Sequence, residues 1–186
     1  MKQNIKINLR YIFIVIAIFF CLSPGFSLAQ EDNTGSIENL IAANGFGNIS
    51  LGEKISEIPK SKLVYMDGDS TKDLDGCVKY EYHNMDEVNN SSSIDLDMVG
   101  LRVYNGRIIN IYLFFKKEYG YQMFQSFKSE YGNCTQRNSD FTYSWDSESV
   151  KLYLEYDKEY LGIAIFSSKK LYQEIAQNNL RRIAAQ

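Results

Sequence analysis

The sequence predicts an α+β domain of two layers, a mostly antiparallel sheet with helices packed on one face, placed after an N-terminal signal peptide. Three observations carry this. Residues 11–22 form an uncharged apolar run behind Lys2, Lys6 and Arg10. β-like runs separated by turn residues recur between Cys77 and Phe166. Helical patterns over 118–131 and 168–185 then interrupt and close those runs.

The first segment has the basic flank and the apolar stretch of a secretory leader, broken at Ser23-Pro24-Gly25, with small residues at Ser27 and Ala29 for the peptidase. An uncleaved anchor needs about 20 apolar residues to cross the hydrocarbon, and this run is shorter. A lipid anchor on Cys21 is disfavoured because bulky Ile18, Phe19 and Phe20 precede it. Cleavage after Ala29 is therefore expected, leaving 186 − 29 = 157 residues and changing the net charge from −3 to −6. That length suits one domain. The expected organisation is a signal peptide over 1–29, a loose lead-in over 30–44 and a single domain over 45–186. The product is exported, periplasmic or secreted, with no stable membrane insertion after cleavage. Its acidic balance lacks the clustered Lys and Arg that nucleic acid or an anionic surface requires.

Within the domain, the alternation at residues 46–51 predicts a short strand, Gly52 a turn, and residues 53–58 a short helix ended by Pro59. Residues 62–66 suit another strand. In residues 77–83, Val78, Tyr80 and Tyr82 share one side while Lys79, Glu81 and His83 share the other, as in a half-buried strand. Asn105-Gly106 between two β-rich runs predicts a hairpin, because both residues tolerate the positive φ of a type I′ turn. Met123, Phe124, Phe127 and Tyr131 recur at helical spacing before Gly132, a fitting C-terminal cap. Three meander strands follow over 141–145, 149–156 and 160–166, and the terminal helix presents Leu171, Ile175, Leu180 and Ile183. All helices are expected on the inner face. The chain reads as two halves, each a helix followed by antiparallel strands.

The inventory of reactive groups argues against hydrolytic catalysis, and no cofactor is expected. His83 is the only histidine and belongs to no nucleophile motif; strand spacing sets it about 20 Å from Cys77. The loop over 67–76 alternates carboxylates, yet the EF-hand register fails at Lys72 and Tyr82, so a solvated loop is expected rather than a calcium site. Cys77 and Cys134 either form one disulfide in an oxidising compartment or lie as two buried thiols. The remaining candidate is the sheet's outer face. With Val150, Leu152 and Leu154 turned inward, Lys151, Tyr153 and Glu155 face out, and the preceding hairpin adds Asn110, Tyr112 and Phe114. Tyrosine there offers large contact area with a polar tip.

The run Phe46-Gly47-Asn48-Ile49-Ser50-Leu51-Gly52 before a short helix, with Tyr131-Gly132 closing a second helix ahead of Tyr143-Ser144-Trp145 and a meander, resembles small exported proteins similar to the β-lactamase-inhibitor protein and to outer-membrane assembly lipoprotein modules. The likeness spans residues 46–166. It implies a non-catalytic module whose surface binds another protein in the envelope or extracellular space. The alternatives are a carboxylate-based hydrolase, marked by paired carboxylates in a cleft, and a small-ligand carrier, marked by a sizeable apolar pocket.

Overall fold

Helix α1 (Ile37–Ala43) stops at Asn44, which takes the left-handed conformation at φ 45°, a position asparagine tolerates better than most residues. Its Nδ2 donates to the Leu51 carbonyl at 2.9 Å. That bond ties the helix to a two-stranded hairpin, β1 (Gly45–Phe46) and β2 (Ile49–Ser50), turned at Gly47-Asn48. The structure, a computed structural model, describes residues 35–66, 76–83, 94–157, 159 and 161–184, all within the unit Asn33–Gln186. The expected leader, the cleavage point expected after Ala29 and most of the acidic loop, 67–75, lie outside the described residues. Leu40 is fully buried and Asn39 Nδ2 donates to the Glu130 carbonyl at 2.8 Å, so packing begins ahead of the boundary expected at residue 45.

A 3₁₀ turn at Ile55–Glu57 stands where a short helix is expected. The chain then forms β3 (Leu63–Tyr65), β4 (Val78–Tyr82), β5 (Leu96–Tyr104) and β6 (Arg107–Lys116) as an antiparallel meander. The turn between the last two holds Asn105 at φ 48° and Gly106 at φ 74°, as its sequence predicts. Helix α2 (Gly120–Tyr131) follows and ends at Gly132, whose φ of 79° relaxes the chain out of the helix. A second meander comes next: β7 (Gln136–Ser139), β8 (Thr142–Asp146), β9 (Val150–Glu155) and β10 (Leu161–Ser168). Strand β10 pairs with β6, so the two meanders fuse into one eight-stranded sheet of order β3-β4-β5-β6-β10-β9-β8-β7. The molecule is thus α+β with an antiparallel sheet; each half is a helix followed by four strands of that sheet, the first half with the β1–β2 hairpin between helix and sheet.

The inner face carries the core. Phe127 of α2 meets Trp145 and Phe166 edge-on, with ring centroids 5.8 Å apart in both pairs. Such geometry adds about 0.5–1.5 kcal/mol per pair beyond the burial itself. The indole N–H of Trp145 donates to the Gly132 carbonyl at 2.9 Å, so the largest core side chain also satisfies the helix end.

The last helix, α3 (Lys169–Ala184), departs from the expected placement. Leu171 and Ile175 pack with Ile109, Tyr104 and Cys77 as a separate cluster on the outer face. A β-bulge causes this: the register shifts between Arg102–Asn110 and Val103–Ile108, leaving Ile109 as an extra residue that turns outward. Leu180 and Ile183, expected on the packed side, are exposed. Cys77 belongs to this outer cluster, whereas Cys134 packs against the inner core. Both remain thiols, because the sheet lies between them. Among the described residues no helix is long and apolar enough to cross a membrane.

Two strand glycines differ in what they permit. A Cβ on Gly162 would stand 2.1 Å from the Phe115 ring packed over it, whereas one on Gly100 would meet Tyr112 Cβ at an ordinary 3.5 Å. We expect Gly162→Ala to lower stability by about 1–3 kcal/mol and Gly100→Ala to change it by less than about 0.5 kcal/mol, both read from urea midpoints. Equal midpoints for the two variants would contradict the packing described.

Candidate functional site

Strand register sets the outer face in rows. Asn110, Ser167 and Lys151 are cross-strand neighbours, flanked by Arg102 and Asp146. The next row runs Gly100, Tyr112, Ile165, Tyr153, Ser144, and the third runs Met98, Phe114, Ile163, Glu155, Thr142. All six residues expected on this face therefore occupy it, divided between β6 and β9 with β10 between them. The intervening Ile163 and Ile165 were not expected. Residues 161–166 are apolar on both faces, so alternation could not assign them, and the strand order was needed to place them here.

The first row is closed by α3. Tyr172 donates from its hydroxyl to Asn110 Oδ1 at 2.8 Å and accepts from an Arg102 guanidinium N–H at 2.9 Å. Asn110 Nδ2 donates to Ser167 Oγ at 2.7 Å, and Arg107 forms an ion pair with Glu174. Asn110 is 2% exposed, so it is a buried docking residue for the helix rather than a contact surface. The expectation of exposure fails because the bulge at Ile109 brings α3 over this row. At the far end of the row, Lys169 reaches the Asp146 carboxylate at 2.8 Å, while Lys151 is exposed.

The second and third rows remain open across β6, β10 and β9, while Gly100 and Ser144 at the two ends of the second row are buried. Tyr112, Phe114, Ile163, Ile165, Tyr153 and Glu155 are half-buried. The Tyr112 and Phe114 rings stack with centroids 6.3 Å apart, and the Tyr153 hydroxyl donates to Glu155 at 2.9 Å. Burial first, and that hydrogen bond second, push the Tyr153 phenol up to about 12. Toward the β3 edge the apolar surface continues through Val64 and Met66, 47% and 39% exposed. The opposite edge, β7, is short, polar and exposed along its length, which blunts it against pairing with other chains.

Between these regions lies a cleft of about 230 Å³ over Gly100, bounded by Met66, Lys79, Met98, Tyr112 and Phe114. An isolated glycine in a strand pattern is the signal that points to it, since it marks a gap or a close approach. A wider, shallower basin of about 620 Å³ lies by Tyr121, Phe141 and Tyr156, rimmed by charges of both signs. His83 stands at a strand end and pairs with Glu81 at 3.1 Å. Among the described residues no three His, Cys, Asp or Glu side chains converge as metal ligands.

Comparison with protein-family models, with curated proteins and with solved structures finds no match to this chain.

The Tyr153 phenol is expected to ionise near pH 12 in the folded protein against an ordinary value of 10.0. Its contribution to stability is intact below the unfolded value and lost as pH rises through the folded one. A ring-carbon NMR titration checks this, with Glu155→Gln expected to lower the midpoint. A Tyr153 midpoint at the ordinary tyrosine value would contradict the hydrogen-bonded geometry.

Proposed function

We propose that this chain is an exported, non-catalytic binding module that holds another protein against the open rows of its outer face. The observation that carries the reading is the incomplete cover on that face. Two helices pack the inner side, α3 closes one row of the outer side, and Tyr112, Phe114, Ile163, Ile165 and Tyr153 are left partly in water. A continuous apolar surface with tyrosines at its centre and charged residues such as Lys151 and Glu155 at its margin matches the anatomy of a protein interface. Export is supported by the basic and apolar N-terminal pattern and by the small residues at Ser27 and Ala29. The pattern resemblance to small inhibitor-like and envelope-assembly modules points the same way. A carrier of drug-sized ligands is less well supported, since the Gly100 cleft of about 230 Å³ falls below the roughly 300 Å³ at which such sites begin, and the basin of about 620 Å³ by Tyr121 is shallow and rimmed by Lys116, Lys117, Glu118 and Glu159 rather than apolar.

Site-directed photocrosslinking in the producing cells tests this. A benzophenone side chain at Tyr112 or Phe114 is expected to capture one partner in defined stoichiometry, and the same group at Tyr121 or Leu180 to capture none. With that partner purified, Tyr112→Ala combined with Tyr153→Ala should weaken binding by at least about 30-fold, the loss of one hot spot or more. Capture from Tyr121 or Leu180 with none from Tyr112 would overturn the assignment of the face.

A further inference from the structure

The sheet ends on β3, and the main chain of that strand is only half used. Met66 N–H donates to the Lys79 carbonyl at 3.2 Å, and His83 N–H donates to the Lys62 carbonyl at 2.8 Å. In an antiparallel ladder, residue pairs joined by hydrogen bonds alternate with pairs that are not. The register between these two contacts is unbroken, with Leu63 opposite Tyr82, Val64 opposite Glu81 and Tyr65 opposite Tyr80. Val64 therefore turns its backbone groups to β4, whereas Leu63 and Tyr65 turn theirs away from the sheet. The Leu63 N–H is taken back to the Lys60 carbonyl. The Leu63 carbonyl, the Tyr65 N–H and the Tyr65 carbonyl have no protein partner among the described residues.

The two ends of the sheet differ in what surrounds such groups. Strand β7 carries only Gln136, Arg137, Asn138 and Ser139, all exposed. Strand β3 carries no charge and no proline, and its exposed side chains Val64 and Tyr65 are apolar or aromatic, as is Met66 just beyond them. Charge and proline are the usual means of keeping another chain off an edge, and β3 has neither. Its one restraint is its length of three residues.

The edge is also continuous with the open face. Val64, Glu81, Gly100 and Tyr112 are successive cross-strand neighbours, so Val64 stands at the end of the second row. A strand laid beside β3 would set a side chain opposite Val64 and lengthen that row.

Resting on the binding-module reading above, we propose that β3 accepts an added strand from the partner protein. An extended segment of the partner donates to the Leu63 and Tyr65 carbonyls and accepts from the Tyr65 N–H, and it places an apolar side chain beside Val64 on the outer face. Main-chain pairing makes the recognition one of backbone shape, with alternate side chains supplying selectivity. Three such bonds are few, so the added strand fixes the partner's direction while the open rows supply most of the affinity.

The probe is acetyl-Thr-Val-Thr-Val-Thr amide, added to the full chain and followed by amide NMR. It is expected to shift the Val64, Tyr65 and Met66 signals with a Kd on the order of 1 mM and to slow deuterium exchange at the Tyr65 amide. The same peptide N-methylated at every residue should do neither. Tyr65→Pro removes the outward N–H without touching the β4 ladder, at a position where an edge strand tolerates proline. It should weaken binding about fivefold relative to Tyr65→Ala, which keeps the N–H. Absence of shifts with the parent chain, equal shifts from the N-methylated peptide, or equal binding by the two variants would overturn the proposal. So would protection of the Tyr65 amide that grows with protein concentration alone, since the edge would then belong to a second copy of this chain. Partner crosslinking from Tyr112 that is unchanged in Tyr65→Pro would sink the added strand and leave the binding face standing; peptide pairing at β3 with no capture from Tyr112 would do the reverse.

Discussion

The pairing of β6 with β10 is the constraint on which the rest of the molecule depends. Seven residues of each strand are matched, from Leu161–Lys116 to Ser167–Asn110, and this seam joins two meanders that would otherwise each be a four-stranded sheet with one helix. On the inner side the seam sets Phe115 over Gly162 and Phe166 against Phe127, so the halves share one aromatic core. On the outer side it places Ile165 between Tyr112 and Tyr153 and Ile163 between Phe114 and Glu155. The surface proposed to bind is therefore made by neither meander alone.

A single bulge then divides that surface. The extra residue Ile109 breaks the alternation of β6 and presents an isoleucine outward at the end of the strand, where Leu171 and Ile175 dock. Asn110 follows on the same face and, with Ser167 and Tyr172, satisfies its polar groups beneath α3. A buried amide makes sense only with those partners, since leaving it unmatched would cost about 1–3 kcal/mol. The same helix that shields the first row stops short of the second, and the open rows begin where its hydrogen bonds end.

Most of the secondary structure was legible in the sequence because its signals are local. The Asn105-Gly106 turn, the 3.6 period of Met123, Phe127 and Tyr131 and the alternation of β9 each depend only on near neighbours. What escaped depends on distant partners. The strand β7 is wholly polar and exposed, so it lacks any burial pattern. The face taken by α3 is decided by a register shift between two strands, which residue types do not encode. For the site, the outward residues of β6 and β9 were legible from period two, whereas the depth of Asn110 and the two isoleucines between the strands required the order of the sheet.

On this reading α3 covers the first row of the outer face and leaves the second and third open for a partner. Solvent paramagnetic relaxation, read by NMR with a neutral soluble gadolinium chelate, measures this most directly in the isolated protein. Strong broadening of the Met98, Phe114, Ile163 and Ile165 side chains and protection of Ile109, Leu171 and Ile175 are expected. Equal protection of both groups would mean that the face is already covered in solution and that no open rows exist to bind a partner.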